Sequence, residues 1–143
     1  MPRSVGKKNR LKDLPLLLNA LFWVCWVRLG LSFSSLEKIR EVLLPEVLSS
    51  SNHDLDLNRM AWSVRRISRF IPMATCLTRA QALQIMLARK GLPTELILGV
   101  SRSASKDFLA HAWIEKDGQI LIGGSKRKID SYSKLKTYGA TSA

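Results

Sequence analysis

Residues 73–93 read MATCLTRAQALQIMLARKGLP. At a period of 3.6 residues the apolar side chains fall on nearly every face: Leu77, Ala80, Leu83, Ile85, Met86 and Leu87. A helix apolar almost all round belongs at the centre of a domain, with other elements packed over it. Both ends carry stop signals. Thr75 or a neighbour is the expected N-cap, which puts Cys76 in the first turn. Arg89 and Lys90 occupy the last turn, Gly91 stands at the C-terminal cap and Pro93 follows.

Working outward, the upstream half predicts three more helices. The first spans 11–31, with Asp13 or Asn9 near its start and Gly30 near its end. The second spans 36–48, capped by Ser34 or Ser35, with Glu37 in its first turn and Pro45 ending or kinking it. After a loop at 49–52, Asp54 or Asp56 caps a third helix through Phe70, closed by Pro72. Its apolar face carries Met60, Val64, Ile67, Trp62 and Phe70. Downstream the pattern turns to strands at 95–100, 108–115 and 119–122, the last two joined by the hairpin dipeptide Asp117-Gly118. Helices followed by a small antiparallel sheet make an α+β fold.

The chain has 143 residues, which suits a single domain over 1–143. Within it, 1–10 is basic and frayed, 11–70 is a helical half, and 71–143 holds the central helix and the sheet. A domain of this size buries roughly two thirds of its unfolded surface, so it folds without disulfides or a metal. Two cysteines and two histidines provide neither a disulfide framework nor a zinc cluster. An intracellular protein without a metal is expected. The formal net charge is +12, from 23 Lys and Arg against 11 Asp and Glu. Clusters lie at 3–12, at Arg65, Arg66 and Arg69, and at Lys126, Arg127 and Lys128. So large a bias on one small domain implies an acidic partner.

Residues 14–27, LPLLLNALFWVCWV, imitate a signal peptide or anchor behind a positive flank. Arg28 stops that run short of the roughly 18 apolar residues of a spanning helix. Asn19 interrupts it, and no small-residue cleavage site follows. The segment reads as a buried or partner-facing helix, and membrane association is not expected.

Nucleophilic chemistry has few candidates. Cys25 lies between Trp23 and Trp26 in the apolar run, where a free cysteine behaves as a small hydrophobe. Cys76 stands at a helix start, where unpaired N–H groups and the helix dipole favour a thiolate and can hold an oxyanion. Filling the helix terminus is its plainer role. His53 sits in a polar loop and reads as a surface residue. His111, flanked by Ala110 and Ala112 and followed by Trp113, suits either a cleft or a hydrogen-bonded core site. The pairing with chemical sense is Cys76 with His111. A third group normally orients the imidazole. Asp117, at the hairpin tip, lies roughly 20 Å along the strand from His111. If Lys116 pairs with Gln119, His111 falls opposite Gly124, and Gly123 and Gly124 carry no side chain. Asp130 folding back, a backbone carbonyl or a water each remain open for that role.

The blocks CLTRA (76–80), Gly91-Leu92-Pro93, a strand ending Leu98-Gly99-Val100, and HAWIE (111–115) before Asp117-Gly118 resemble the lasso-peptide leader peptidases. These are transglutaminase-like maturation proteases of bacteria, and the likeness covers about half the chain, from Phe70 to Gly124. The resemblance implies a papain-like or transglutaminase-like α+β fold and a cytoplasmic cysteine peptidase. Such an enzyme removes the leader from a ribosomally made precursor, so that a separate ATP-dependent cyclase can close the ring. Cys76 maps onto the family nucleophile and His111 onto its general base. The family's acidic third member falls about where Gly123 stands, a departure from the pattern. The resemblance also implies a precursor leader peptide and a separate leader-recognition protein as partners. No Gly-rich phosphate loop with its lysine is present, so no ATP or other cofactor is expected.

Two other classes compete with this reading. One is a transglutaminase-like acyl transferase using the same pair with an amine in place of water. The other is a non-catalytic basic module for nucleic acid; with an acidic leader as the complement of the charge, nucleic acid is not expected. The helical half, including Trp23, Trp26 and the 65–69 face, is the expected partner surface.

Overall fold

The computed structural model describes residues 10–44, 57–102 and 108–139. In chain order the elements are α1 (Arg10–Phe33), α2 (Leu36–Leu43), α3 (Leu57–Ser68), α4 (Cys76–Arg89), β1 (Glu95–Arg102), β2 (Phe108–Lys116), β3 (Gln119–Ile122), α5 (Lys126–Ile129) and β4 (Ser133–Tyr138). The strands form one antiparallel sheet in the order β3-β2-β1-β4. The α+β class expected from the sequence is what the chain adopts.

α4 is the central helix. Every residue from 81 to 88 is buried, because α1 and α3 cover one side and β1 and β2 the other. Thr75 is its N-cap, and its hydroxyl accepts the Thr78 N–H at 3.3 Å. At the other end the Gly91 N–H donates to Ala88 O and the Leu92 N–H to Leu87 O, both at 2.9 Å, with Gly91 at φ 79°. That double bond pattern closes the last turn. The core consists of Ala20, Val24 and Val27 of α1, Met60, Ala61 and Val64 of α3, the inner faces of α4, and Leu96, Ala112 and Ile114 of the sheet.

Two polar side chains inside this core, Gln81 and Gln84, are used as connectors. The Arg40 guanidinium of α2 donates to Gln81 Oε1 at 3.0 Å, to Gln84 Oε1 and to the Gly139 carbonyl. Gln84 in turn donates to Thr94 O at 3.0 Å and Tyr138 O at 3.1 Å. Burial pushes the Arg40 guanidinium below its ordinary value. One cation thus ties α2, α4 and β4 together by hydrogen bonds to neutral acceptors.

Several boundaries differ from expectation. α2 ends at Leu43; Leu44 is extended at φ −85°, ψ 114°, as a residue preceding proline prefers. Expectations for 1–9, for Pro45 and the run to Leu48, for the 49–52 loop, for His53, and for Asp54 or Asp56 as a cap lie outside the described residues. α3 stops at Ser68, short of Phe70. α1 runs past Gly30, and that glycine is a contact point: a Cβ there would meet Ile39 of α2 at 3.1 Å. Nor does Arg28 end the apolar run, because Leu29, Leu31 and Phe33 continue it on the same helix. Lys12–Phe33 is long and apolar enough, by length and composition, to cross a membrane. Its Ala20, Trp23, Val24 and Val27 are nevertheless buried against the core. Trp23, expected at the partner surface, lies inside with the Arg89 guanidinium 4.5 Å from its ring centroid. Asp13 is ion-paired with Arg59 of α3.

β4 and α5 are additions to the expected elements. β4 is an edge strand paired with β1 and exposed along most of its length. Its lysines keep such an edge from recruiting further strands. The Asp117-Gly118 hairpin forms as expected, with both residues at positive φ (50° and 79°) and Lys116 opposite Gln119. The β2–β3 register then slips by one residue between Ile114 and Glu115. Consecutive Leu121 and Ile122 therefore both reach the α4-side core.

Candidate active site

The far side of the sheet carries a small second cluster of Ile97, Trp113 and Ile129, with Ile120 and Tyr132 against it. Trp113 is fully buried, and its Nε1 donates to Glu115 Oε1 at 2.9 Å. Two glycines make room for it. A Cβ on Gly99 would come within 2.7 Å of the indole. A Cβ on Gly123 would run into the Trp113 Cβ and come within 2.9 Å of its Cα. Gly123 also has φ 115°, a conformation that strains any other residue. Residue 123 is therefore glycine for backbone reasons, and its carbonyl is held close against β2.

That carbonyl forms a hydrogen bond with His111 Nε2. A carbonyl only accepts, so Nε2 carries the proton and Nδ1 of the neutral ring is left as the base. The ring is further confined by Tyr132, with centroids 5.2 Å apart, and by Trp113 at 6.1 Å. His111 is half-buried, as a cleft residue should be.

Cys76 approaches the same place from the opposite layer. It is the first residue of α4 and half-buried. Because the Thr75 hydroxyl serves the Thr78 N–H, the N–H groups of Cys76 and Leu77 have no partner within the helix. β3 ends at Ile122, and the chain turns away through Gly123 and Gly124. Beyond that point the flank of β2 is open to both layers. A pocket of about 240 Å³ forms there, with Cys76 and Arg79 of α4, His111 of β2 and the 122–124 turn in its wall. Arg65 of α3 and Lys128 of α5 complete it.

Of the residues singled out from sequence, Cys76 and His111 are brought together in this wall. Asp130 is not in it. It is exposed at the end of α5, and its backbone N–H donates to Lys126 O and Lys128 O. Asp117 is at the exposed hairpin tip beside Lys116, 3.6 Å away. Cys25 is half-buried on α1, outside the pocket. Sequence reasoning did not identify Arg65, Arg79, Lys128 or Tyr132 as site residues. Arg79 alone had a readable signal: it lies three residues after Cys76, on the same helix face.

The arrangement supplies a thiol, an oriented imidazole base and free helix N–H groups around one cleft, the parts needed for acyl transfer through a thioester. Comparison with curated proteins and with solved structures finds no match. A family model described as the transglutaminase-like superfamily matches residues 23–137, a span from the middle of α1 through β4 that includes Cys76 and His111. The chain belongs to the transglutaminase-like superfamily.

Proposed function

We propose that the protein is a bacterial, cytoplasmic cysteine peptidase that removes the leader from a lasso-peptide precursor, with Cys76 as nucleophile and His111 as general base and acid. The observation that carries this reading is the shared pocket wall of Cys76 and His111, with the imidazole tautomer set by the Gly123 carbonyl. The CLTRA and HAWIE blocks, and membership of a superfamily of cysteine proteases and acyl transferases, support it. Asp130 has no part in this mechanism, because the orienting acceptor is a backbone carbonyl.

Cys76 Sγ attacks the carbonyl at the leader–core junction, its proton going to His111 Nδ1. The N–H groups at the start of α4 receive the oxyanion. His111 then passes the proton to the departing core amine, leaving a thioester on Cys76. Water, deprotonated by His111, attacks the thioester and frees the leader. A separate leader-recognition protein presents the precursor, and an ATP-dependent cyclase takes the core. The exposed apolar side chains of α1, Leu18, Phe22, Trp26 and Leu29 among them, support work against a second protein.

The test is to incubate the protein with a lasso-peptide precursor and a leader-recognition protein, then weigh the peptides. Wild type yields leader and core fragments. Cys76→Ala yields none and His111→Ala at most a trace, with unchanged circular dichroism. Cleavage surviving Cys76→Ala overturns the proposal, and an amine adduct of the leader, in place of its free acid, identifies an acyl transferase instead.

A further inference from the structure

The Cys76 pocket is lined by three cations that the mechanism does not use. They come from three different elements: Arg65 of α3, Arg79 of α4 and Lys128 of α5. No acidic residue lines the pocket, and among the described residues none of the three is ion-paired with a carboxylate. Other cations of the chain do pair in that way: Arg59 with Asp13, Lys134 with Glu115 and Lys136 with Glu37. The two guanidinium groups are also pinned. Arg65 Nη1 donates to Leu121 O at 3.2 Å, and Arg79 Nε donates to Thr75 O at 3.5 Å. Each keeps further N–H groups for another acceptor. The Lys128 stem lies over Gly124, where an added Cβ would meet its Cδ at 3.2 Å. Bringing three like charges to one cleft is unfavourable unless an anion shares it.

We infer that this pocket selects a substrate with an acidic side chain beside the bond that Cys76 attacks, its carboxylate held by Arg65, Arg79 and Lys128. The inference rests on Cys76 being the nucleophile, and it adds what the nucleophile accepts. Planar guanidinium groups suit a carboxylate geometrically, and charge-assisted hydrogen bonds are stronger than neutral ones. The small volume, about 240 Å³, places any bound carboxylate close to Sγ.

Two alkylating reagents of nearly equal size test this without a known substrate. Iodoacetate carries a carboxylate on the attacked carbon and iodoacetamide a neutral amide. With either, Cys76 Sγ forms a bond to the methylene carbon and iodide leaves with the electron pair. Rates at Cys76 and Cys25 are read separately by peptide mass, Cys25 serving as the internal reference. The expected ratio of iodoacetate to iodoacetamide rates is roughly tenfold or more higher at Cys76 than at Cys25. It falls by roughly that factor in the triple variant Arg65→Gln, Arg79→Gln, Lys128→Gln, and it shrinks with added salt. Arg65→Lys with Arg79→Lys, which keeps the charge, retains the preference. His111 is intact in every variant, so its own charge does not account for the difference. A ratio at Cys76 that equals that at Cys25, or that survives the triple substitution, overturns the inference. Failure of both reagents to reach Cys76 overturns instead the reading on which it rests, and the inference falls with it.

Discussion

Two of the hollows among the described residues differ sharply in character. The larger, about 690 Å³, lies between α1 and α2 and is walled by Trp26, Leu29, Phe33, Ile39 and Val42. It is apolar and contains neither a cysteine nor a histidine. The smaller, at the start of α4, is polar and contains Cys76, His111 and three cations. Volume and apolarity single out the first, whereas convergent polar groups single out the second. The two cysteines make the same contrast. Cys25 lies in the middle of α1, where the N–H groups are spent on the helix itself, while Cys76 lies in a first turn, where they have no partner within the helix. In this fold the groups that acyl chemistry needs lie where a helix begins and a strand ends.

That contrast can be broken by substitution, and the largest effect belongs to the thiols. Cys76→Ala is expected to abolish acyl chemistry, while Cys25→Ala leaves it intact; product masses decide between them. His111→Ala is expected to cost roughly 10²–10⁴-fold in turnover, the usual contribution of a positioned base. Gly123→Ala tests the backbone acceptor. The strained φ and the collision with Trp113 should cost about 1–3 kcal/mol in thermal or urea unfolding. The same change displaces the carbonyl from His111 and lowers turnover, which a purely structural role would not do at a temperature where the variant stays folded. Thr75→Ala removes the α4 cap and should cost about 1 kcal/mol. At the apolar hollow, Phe33→Ser should change stability by less than about 0.5 kcal/mol, because that ring is 86% exposed. It should instead reduce binding of a hydrophobic dye.

How far these two regions could be read from sequence also differs. The smaller was largely legible: Thr75, Gly91 and Pro93 bracket α4, Asp117-Gly118 marks the hairpin, and scarcity of thiols and imidazoles singles out Cys76 and His111. The partner of His111 was open between Asp130, a carbonyl and water. A backbone atom leaves no trace in the residue string, and the register slip between Ile114 and Glu115 shifts the end of β3 by one residue along β2. The three cations were visible only as separate clusters, since nothing local says that α3, α4 and α5 converge. The larger hollow was not legible, because α1 is apolar on all sides and its buried face cannot be told from its exposed one. β4 escaped for the opposite reason. SKLKTY has no two-residue alternation, and its pairing with β1 is a long-range event on an exposed edge.

The proposed mechanism makes Cys76 and His111 one unit, unlike Cys25. The most direct measurement is the rate of iodoacetamide alkylation at each cysteine near neutral pH, in wild type and in His111→Ala, resolved by peptide mass. Faster modification of Cys76 than of Cys25, with that advantage lost in His111→Ala, is the predicted result. Equal rates at the two cysteines, or a Cys76 rate indifferent to the loss of His111, would contradict it.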